Sequence, residues 1–389
     1  MFDRHVGGER VILLALDFDD PDYNDSVAEL RLLAQGAGLE IVGEVLGKRS
    51  RPDAALFAGS GKVDEIAALV LATAADVVIF NHELSPAQER NLERRLQCRV
   101  IDRVSLILDI FARRAQSAEG KLQVELAQLQ HLSTRLIRGW THLERQRGGV
   151  GMRGPGEKQL ETDRRLIGVR VKALKERLSK LEKQRRIQRR ARERNNVLSV
   201  ALVGYTNAGK SSLFNALTRA GAYEADQLFA TLDTTTRKVY LHGKGEWMGR
   251  EVVLADTVGF ITRLPHSLIA AFRATLEATA EADLLLHVID TASPNRERQI
   301  IEVDKVLEEL GAGHAAMFQV YNKLDLAGIA PGVSRDEYGK LRSVYVSAKT
   351  GAGLDLLRAA LTEILSDLRP ANEPAFNDDI PSQHFISAS

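Results

Sequence analysis

The feature that most constrains the fold is a glycine-rich loop between an apolar run and a helix-like stretch. The run at 197–203 is rich in β-branched residues, and 211–219 has the pattern of a helix. The loop and the helix start read Gly204-Tyr205-Thr206-Asn207-Ala208-Gly209-Lys210-Ser211-Ser212. A strand, this loop and a helix in that order predict a phosphate-binding loop. We expect the loop amides to face phosphates, Lys210 to reach the β- and γ-phosphates, and the Ser211 hydroxyl to bind magnesium.

Three shorter motifs follow in order and indicate which base is bound. They are Asp256-Thr257-Val258-Gly259, Asn322-Lys323-Leu324-Asp325 and Ser347-Ala348-Lys349. Asp256 is placed to hold the magnesium ion through water, and the Gly259 amide to bond the γ-phosphate. The Asp325 carboxylate can accept from the ring N–H and the exocyclic amine of guanine, a pair of donors that adenine lacks. The ordered set therefore predicts guanine nucleotides, with GTP preferred over ATP.

The segment between the loop and Asp256 should contain the residue that senses the γ-phosphate. It reads Leu228-Phe229-Ala230-Thr231-Leu232-Asp233-Thr234-Thr235-Thr236, and the five residues from Phe229 to Asp233 are expected to contact GTP. A hydroxyl that binds magnesium only while the γ-phosphate is present acts as an order–disorder switch. Thr231 is the predicted metal ligand, because it resembles the second threonine of the Phe-Thr-Thr stretch in translation-factor GTPases. The three threonines that follow Asp233 remain alternatives.

Two residues bear on how GTP is hydrolysed. Phe260 directly follows Gly259, where many small GTPases place the glutamine that orients the attacking water. Because phenylalanine cannot do so, we expect slow hydrolysis that a partner stimulates. The catalytic residue stays unassigned, with Gly259 and Thr231 expected nearest the attacking water. Asn207 stands where potassium-activated GTPases carry an asparagine, which suggests K⁺ as a second cation; its alternative role is hydrogen bonding within the loop.

A second sequence only partly resembles a phosphate loop. Gly59-Ser60-Gly61-Lys62 has the right glycine–lysine pair, but Leu56 stands where the first glycine belongs. Lys62 is followed by Val63, which has no hydroxyl for a metal ion. We therefore do not expect a nucleotide here.

The 389 residues suffice for several domains, each with its own core. Short apolar runs alternate with helix-like stretches at both ends of the chain, which predicts α/β domains with mainly parallel sheets. The middle of the chain instead contains two long charged helical stretches, at 121–137 and 163–194. The predicted division is an α/β domain at 1–118, a helical hairpin at 119–196, a doubly wound P-loop GTPase domain at 197–368 and a disordered tail at 369–389.

The hairpin carries a concentrated positive charge. Residues 164–194 hold fourteen Lys/Arg against three Glu, although the whole chain has a net charge of only +1. The tip at 148–156 is too rich in glycine to be regular helix. The side chains predicted to contact RNA lie in or beside this tip and are Arg145, Arg147, Arg153 and Lys158. The alternatives are a solvated helical face for the charge run and a plain connector for the tip.

Composition excludes several other classes of protein. No apolar run approaches the roughly 20 residues that a membrane span needs, and the charged start does not read as a secretory signal. The single cysteine, Cys98, excludes an internal disulfide and a cysteine-built metal site. These observations favour a cytoplasmic protein.

Several stretches outside the nucleotide motifs are distinctive: Glu119-Gly120-Lys121-Leu122-Gln123-Val124-Glu125-Leu126-Ala127, Arg138-Gly139-Trp140-Thr141-His142-Leu143-Glu144-Arg145, Gly148-Gly149-Val150-Gly151, Arg153-Gly154-Pro155-Gly156-Glu157 and Gln159-Leu160-Glu161-Thr162-Asp163-Arg164-Arg165. In these stretches the chain most specifically resembles the HflX family of ribosome-associated GTPases. The resemblance covers roughly residues 10 to 367. An apolar residue at Phe260 also fits that family. The departures are Ser133-Thr134 and Thr234, where family members commonly have proline.

This resemblance implies a factor that binds the large ribosomal subunit and its rRNA, and that separates stalled or idle ribosomes into subunits in its GTP form. The ribosome would in turn stimulate hydrolysis, and the protein would act as a monomer. Two alternatives stay open. One is a GTPase that checks large-subunit assembly; the other is the GTPase component of an RNA-modification complex.

Overall fold

The computed structural model describes residues 9–138, 155–194, 197–218, 228–229, 231–241, 250–262, 279–313 and 315–368. The N-terminal part is a four-stranded sheet of order β2-β1-β3-β4, in which every pair is parallel. Its strands are β1 (Arg10–Asp17), β2 (Glu40–Lys48), β3 (Val77–Phe80) and β4 (Arg99–Asp102). The helices between and after them are α1 (Tyr23–Gly36), α2 (Ser60–Thr73), α3 (Pro86–Leu96) and α4 (Arg103–Arg114).

The two central strands are apolar almost throughout because helices cover both faces of the sheet. Alternate residues of each strand enter different cores: Leu13 and Ile79 pack with α1 and α4, whereas Leu14 and Phe80 pack with α2 and α3. Helix α3 begins with a capping box formed by Ser85 and Gln88, and proline occupies its first turn.

Two long helices follow, α5 (Ala118–Arg138) and α6 (Pro155–Arg194). Leu126 of α5 packs against Leu174 and Leu178 of α6. Glu119 pairs with Arg185 at 2.7 Å and Glu125 pairs with Arg170 at 2.7 Å, so the chain positions run in opposite directions and the helices are antiparallel.

The beginning of α6 corrects one prediction. The sequence placed 155–156 in a non-helical tip and began the second helix at 163, but the helix begins at Pro155. Proline is favoured at the first helical position, because its missing N–H would have had no partner there. The rest of the predicted tip, and the tail predicted at 369–389, lie outside the described residues.

The C-terminal part is a seven-stranded sheet of order β10-β11-β9-β8-β5-β7-β6, antiparallel only at its two edge pairs. Its strands are β5 (Leu198–Val203), β6 (Thr235–Leu241), β7 (Arg250–Asp256), β8 (Leu284–Asp290), β9 (Ala316–Asn322), β10 (Gly332–Arg335) and β11 (Leu341–Tyr345). Its helices are α7 (Lys210–Thr218), α8 (Arg296–Glu309), α9 (Leu324–Ala327) and α10 (Leu354–Leu368). The predicted fold class, α/β with two mainly parallel sheets and a helical hairpin, is confirmed.

One apolar core joins the two sheets. It contains Leu13, Ile79 and Phe111 of the N-terminal part together with Val203 and Phe260 of the C-terminal part. The N-terminal helices therefore pack directly against the loops at the carboxyl ends of β5 and β7. Among the helices that the structure describes, none has both the length and the apolar character that crossing a bilayer demands.

Candidate nucleotide-binding site

The loop between β5 and α7 needs glycine at both of its ends. Gly204 has φ +146°, and a Cβ there would lie 2.3 Å from the carbonyl oxygen of Val288. Gly209 has φ +89°, and its Cβ would lie 2.3 Å from Nδ2 of Asn322. Only glycine allows both the backbone angles and the close approach. The loop curls tightly at the N-terminus of α7, where backbone amides favour phosphate.

Lys210 is the buried cation of this loop. Lys210 is only 6% exposed. Its Nζ donates to the carbonyl oxygens of Gly204 at 3.1 Å and Tyr205 at 2.8 Å. Burial lowers the pKa of Lys210 to about 8, while the nearby carboxylate of Asp256 acts in the opposite direction. A Cβ on Gly259 would lie 2.9 Å from Nζ. The Gly259 backbone is thus next to the lysine predicted to hold the γ-phosphate.

Three oxygen atoms predicted to surround the magnesium ion lie together. Ser211 Oγ is 2.6 Å from Thr231 Oγ1 and 2.7 Å from Asp256 Oδ2, and Thr231 Oγ1 is 3.0 Å from the same carboxylate oxygen. The other carboxylate oxygen of Asp256 is buried without a hydrogen-bond partner among the described residues. Burial raises the pKa of Asp256, against the hydrogen bond from Ser211. An all-oxygen set with a buried carboxylate fits a hard cation such as Mg²⁺.

The structure separates the four candidate threonines by position. Thr231 alone among them is joined to Ser211 and Asp256 by the contacts above. Thr235 and Thr236 lie on β6, opposite Asp256 and Ala255 in the antiparallel ladder, and Thr234 precedes that strand. Thr231 remains the predicted metal ligand. Ala230, also predicted to contact GTP, lies outside the described residues.

The residues predicted to select guanine lie at the ends of β9 and β11. Asn322 Nδ2 donates to the carbonyl oxygen of Ala208 at 3.0 Å, and its Oδ1 accepts from the Ala348 amide at 2.9 Å. Asn322 therefore joins the phosphate loop to the last motif. The exposed Asp325 carboxylate accepts from Ser347 Oγ at 2.6 Å, which fixes its orientation. Lys323 pairs with Asp290 at 2.8 Å, and Lys349 is exposed beside this motif.

Several motif side chains point into the protein. Thr257 donates to the Leu202 carbonyl oxygen at 2.6 Å, and Val258 packs in the shared core. Phe260 is fully buried in that core, and its backbone pairs with the loop: its amide donates to Gly204 at 3.2 Å and its carbonyl accepts from Thr206 at 2.7 Å. The aromatic ring is therefore enclosed in the core, and the Phe260 backbone hydrogen bonds join the two motifs.

Sequence reasoning missed a polar network that ties the loop to the N-terminal domain. The Tyr205 hydroxyl is 2.6 Å from Thr262 Oγ1 and donates to Glu29 Oε2 of α1 at 3.1 Å. Glu29 pairs with Arg103 at 3.1 Å, and Arg103 also donates to the Thr262 carbonyl oxygen at 3.1 Å. Burial raises the pKa of Glu29, against the opposing charge of Arg103. No local sequence pattern reveals such a network, because its members are far apart in the chain.

Phe229, Leu232 and Asp233 contact the N-terminal domain or the residues just before α5. Phe229 stacks edge-on against Phe111 of α4 with ring centroids 4.7 Å apart, and Leu232 is buried in the shared core. The Asp233 carboxylate, predicted to lie near GTP, accepts hydrogen bonds from the residues that precede α5. One signal in the sequence could have indicated this contact, namely the glycine at position 120 in the first turn of a helix.

Arg145, Arg147 and Arg153 lie outside the described residues, and Lys158 lies in α6 with its side chain outside the description. The described part of α6 does expose several basic residues on its outer side, among them Arg164, Arg165, Lys172, Lys175, Lys180 and Lys183.

Three family profiles match this chain between residues 24 and 323. The profile described as "GTP-binding GTPase N-terminal" matches residues 24–112, and that described as "GTP-binding GTPase Middle Region" matches residues 114–192. The profile described as "50S ribosome-binding GTPase" matches residues 199–323, which contain the loop, Thr231, Asp256 and Asn322. GTPases of this class generally use Mg²⁺, in keeping with the oxygen set above.

Individual relatives match over nearly the full length. The chain is 54% identical over 367 residues to a protein of Escherichia coli K12 named GTPase HflX, covering 94% of this chain and 85% of that protein. It is 48% identical over 369 residues to a GTPase HflX of Caldanaerobacter subterraneus subsp. tengcongensis, covering 93% and 83%. A crystal structure of SsGBP in complex with GDP covers 92% of this chain and 99% of its own, with a TM-score of 0.50 and 24% identity, which supports the fold alone.

Proposed function

This chain belongs to the HflX family of GTPases, and from that premise we propose that it binds the large ribosomal subunit and, in its GTP form, separates stalled or idle ribosomes into subunits. The chain is a GTPase that converts GTP into GDP and phosphate. The proposal consists of three further points. The protein binds the ribosome, it splits ribosomes, and it acts as a monomer in the cytoplasm.

The observation that carries the proposal is where the basic hairpin is attached. Helix α5 starts beside Asp233, in the segment that carries Thr231, and packs along α6, whose outer side is basic. At its far end Arg135 pairs with Glu89, and with Asp102 at 2.7 Å, which fixes the helix to the N-terminal domain. A basic helical pair joined to the nucleotide-sensing segment suits a protein that changes its contacts with RNA as GTP is hydrolysed.

The chemistry of the site follows from its own residues. Ser211, Thr231 and Asp256 would hold the magnesium ion, which when bound neutralises charge on the β- and γ-phosphates. Lys210 and the loop amides would orient the triphosphate, and the Gly259 amide would bond its terminal group. Asp325 would accept from guanine, held ready by Ser347.

We expect hydrolysis to be slow until a partner completes the site. Phe260 is buried, with its ring inside the shared core, so no side chain of that position can orient water. Single-turnover hydrolysis should accelerate when ribosomes are added, and hydrolysis that is equally fast without them would contradict this expectation.

Asn207 supports a proposal of potassium activation. The residue is exposed at the edge of the loop and has φ +61°. An amide oxygen at this place can bind a monovalent cation beside the phosphates. Hydrolysis should be faster in potassium than in sodium buffer, and Asn207→Ala should remove the difference; equal rates in both buffers would rule the second cation out.

The main experiment is sedimentation of intact ribosomes with the protein and a nonhydrolysable GTP analogue. Separation into subunits supports the proposed function. Binding only to immature large subunits would indicate an assembly GTPase, and no ribosome binding would favour an RNA-modification complex.

Charge-neutralising variants test the predicted RNA contacts. Replacement of Arg145, Arg147 and Arg153 by alanine should weaken ribosome binding and flatten its salt dependence, because fewer phosphates are contacted. Arg94→Ala, at an exposed arginine of α3 outside the hairpin, is the matched control. An unchanged salt dependence in the triple variant would refute the role of the tip.

A further inference from the structure

The start of helix α5 receives a carboxylate from a distant part of the chain. Asp233 Oδ2 accepts from the backbone amides of Gln116 at 2.7 Å and Ser117 at 2.8 Å. Its Oδ1 accepts from Ser117 Oγ at 2.5 Å. Ser117 Oγ in turn accepts from the Gly120 amide at 2.8 Å, as an N-cap side chain does. Asp233 thus adds a negative charge at a helix N-terminus, where it is favourable.

The glycine in the first turn of α5 is a second, independent observation. A Cβ on Gly120 would lie 2.1 Å from Asp233 Oδ1 and 3.0 Å from Ser117 Oγ. Glycine inside a helix is less favourable than alanine. Its presence here leaves the space that the Asp233 carboxylate occupies.

The segment around Asp233 has two sides with different partners. On one side, Phe229 and Leu232 are buried against the N-terminal domain. On the other, Thr231 Oγ1 meets Ser211 and Asp256 at the predicted metal site. Apolar contacts hold the segment to the domain without fixing its exact position, whereas hydrogen bonds are directional. Asp233, two residues from Thr231, supplies such bonds.

We propose that Asp233 is a positioning residue for the GTP-bound state: by capping α5 it holds Thr231 at the magnesium site, and it couples the position of this segment to the helical hairpin. The three bonds lie at the exposed edge of the interface, where water can replace them, so the contact can open and close. Because coupling between two sites is reciprocal, a ligand that shifts α5 also shifts the preference for GTP. The proposal rests on the GTPase activity and on the predicted role of Thr231, and it does not depend on the ribosome.

The test compares the affinities for a nonhydrolysable GTP analogue and for GDP, in Mg²⁺ and without ribosomes. Only the triphosphate complex should need Thr231 in place. Asp233→Ala should therefore weaken binding of the analogue about fivefold, at the low end of measured couplings, while GDP affinity stays unchanged. Asp233→Asn, which keeps an acceptor for the amides, should recover part of the loss. General damage to the fold would lower both affinities together.

A variant on the opposite side of the contact makes the test independent of Asp233 itself. Gly120→Ala should displace the Asp233 carboxylate and lower the affinity for the GTP analogue. It should do so although alanine stabilises a helix more than glycine does. Gly168→Ala in α6 is the matched control, since a Cβ there meets nothing within 4 Å. The proposal is overturned if Asp233→Ala leaves the ratio of the two affinities unchanged, or if Gly120→Ala behaves like Gly168→Ala. Because no ribosome is present, these outcomes are separate from success or failure of ribosome splitting.

Discussion

Two helices of this chain begin around a glycine–lysine pair, yet only one of them has the geometry of a phosphate site. In α2 the pair is Gly61-Lys62, and Lys62 Nζ reaches Glu65 on the surface at 2.8 Å. In α7 the pair is Gly209-Lys210, and Lys210 is buried against the carbonyl oxygens of its own loop. The same Gly-Lys pair therefore places the lysine charge at the surface in α2 and in the interior in α7.

The backbone before each helix explains the difference. Six residues connect β5 to α7, and the loop folds back over the lysine. Before α2, Nη1 of Arg49 donates to the Ala58 carbonyl oxygen at 2.7 Å. A Cβ on Gly59 would lie 2.0 Å from the same Arg49 nitrogen. The space in front of this helix is therefore filled by a side chain. A phosphate site requires a curled loop that buries its lysine, and a glycine–lysine pair alone does not provide one.

The largest expected effect separates the two lysines directly. Lys210→Ala should weaken binding of both GTP and GDP by about three orders of magnitude, because a buried charge partner of the phosphates is removed. Lys62→Ala should leave both affinities unchanged. Titration with a fluorescent guanine nucleotide measures the two variants side by side. A comparable loss in Lys62→Ala would break the distinction between the helices.

The buried position of Lys210 has a second consequence that the half-buried Lys62 lacks. His287 lies buried on β8, and desolvation together with the charge of Lys210 lowers its pKa to about 4. At pH values between about 6.5, the ordinary pKa of histidine, and about 4, the unfolded chain binds more protons than the folded one. His287 should therefore cost up to about 3 kcal/mol of stability as the pH falls from 6.5 to 4.

The measurement is thermal unfolding of the nucleotide-free protein across that pH range. His287→Gln should unfold with a shallower pH dependence than the parent protein, because the titrating group has been removed. A pH dependence that stays as steep in the variant would show that other groups dominate acid unfolding.

The residues that could be read from the sequence share one property. Each of the four nucleotide motifs is a contiguous stretch at the end of a strand, so local order alone predicts where Lys210, Asp256 and Asp325 lie. The parallel strands then bring their carboxyl ends to one edge of the sheet. The alternation of strands and helices in the N-terminal domain was predicted for the same reason, from local patterns.

The contacts between domains could not be predicted in this way. The Tyr205 hydroxyl meets Glu29, and the Asp233 carboxylate meets Ser117, across more than a hundred residues of chain. Polar pairs of this kind leave no periodic trace, because each partner alone looks like an ordinary loop or surface residue. Gly120 lies just before the helix predicted at 121–137, and the sequence does not say which side chain fills the space beside it.

The smallest expected effect concerns the second residue of each loop. Tyr205 stands at this place in the true loop, and Phe57 stands at the matching place before α2, four residues before Gly61. Phe57 packs edge-on against Phe18 and Phe80 and needs no hydrogen bond. The Tyr205 hydroxyl, by contrast, bonds with Glu29 and Thr262, which joins the phosphate loop to both the N-terminal domain and the segment after Phe260.

Tyr205→Phe should therefore lower the free energy of unfolding by about 1 kcal/mol, since Glu29 stays buried and loses a donor while the ring still packs. Affinity for GDP should change little, because the loop amides and Lys210 are untouched. Chemical denaturation and nucleotide titration of the same samples give the two quantities. Loss of nucleotide binding without loss of stability would mean that the hydroxyl acts on the phosphates, and that the network with Glu29 is incidental to the loop.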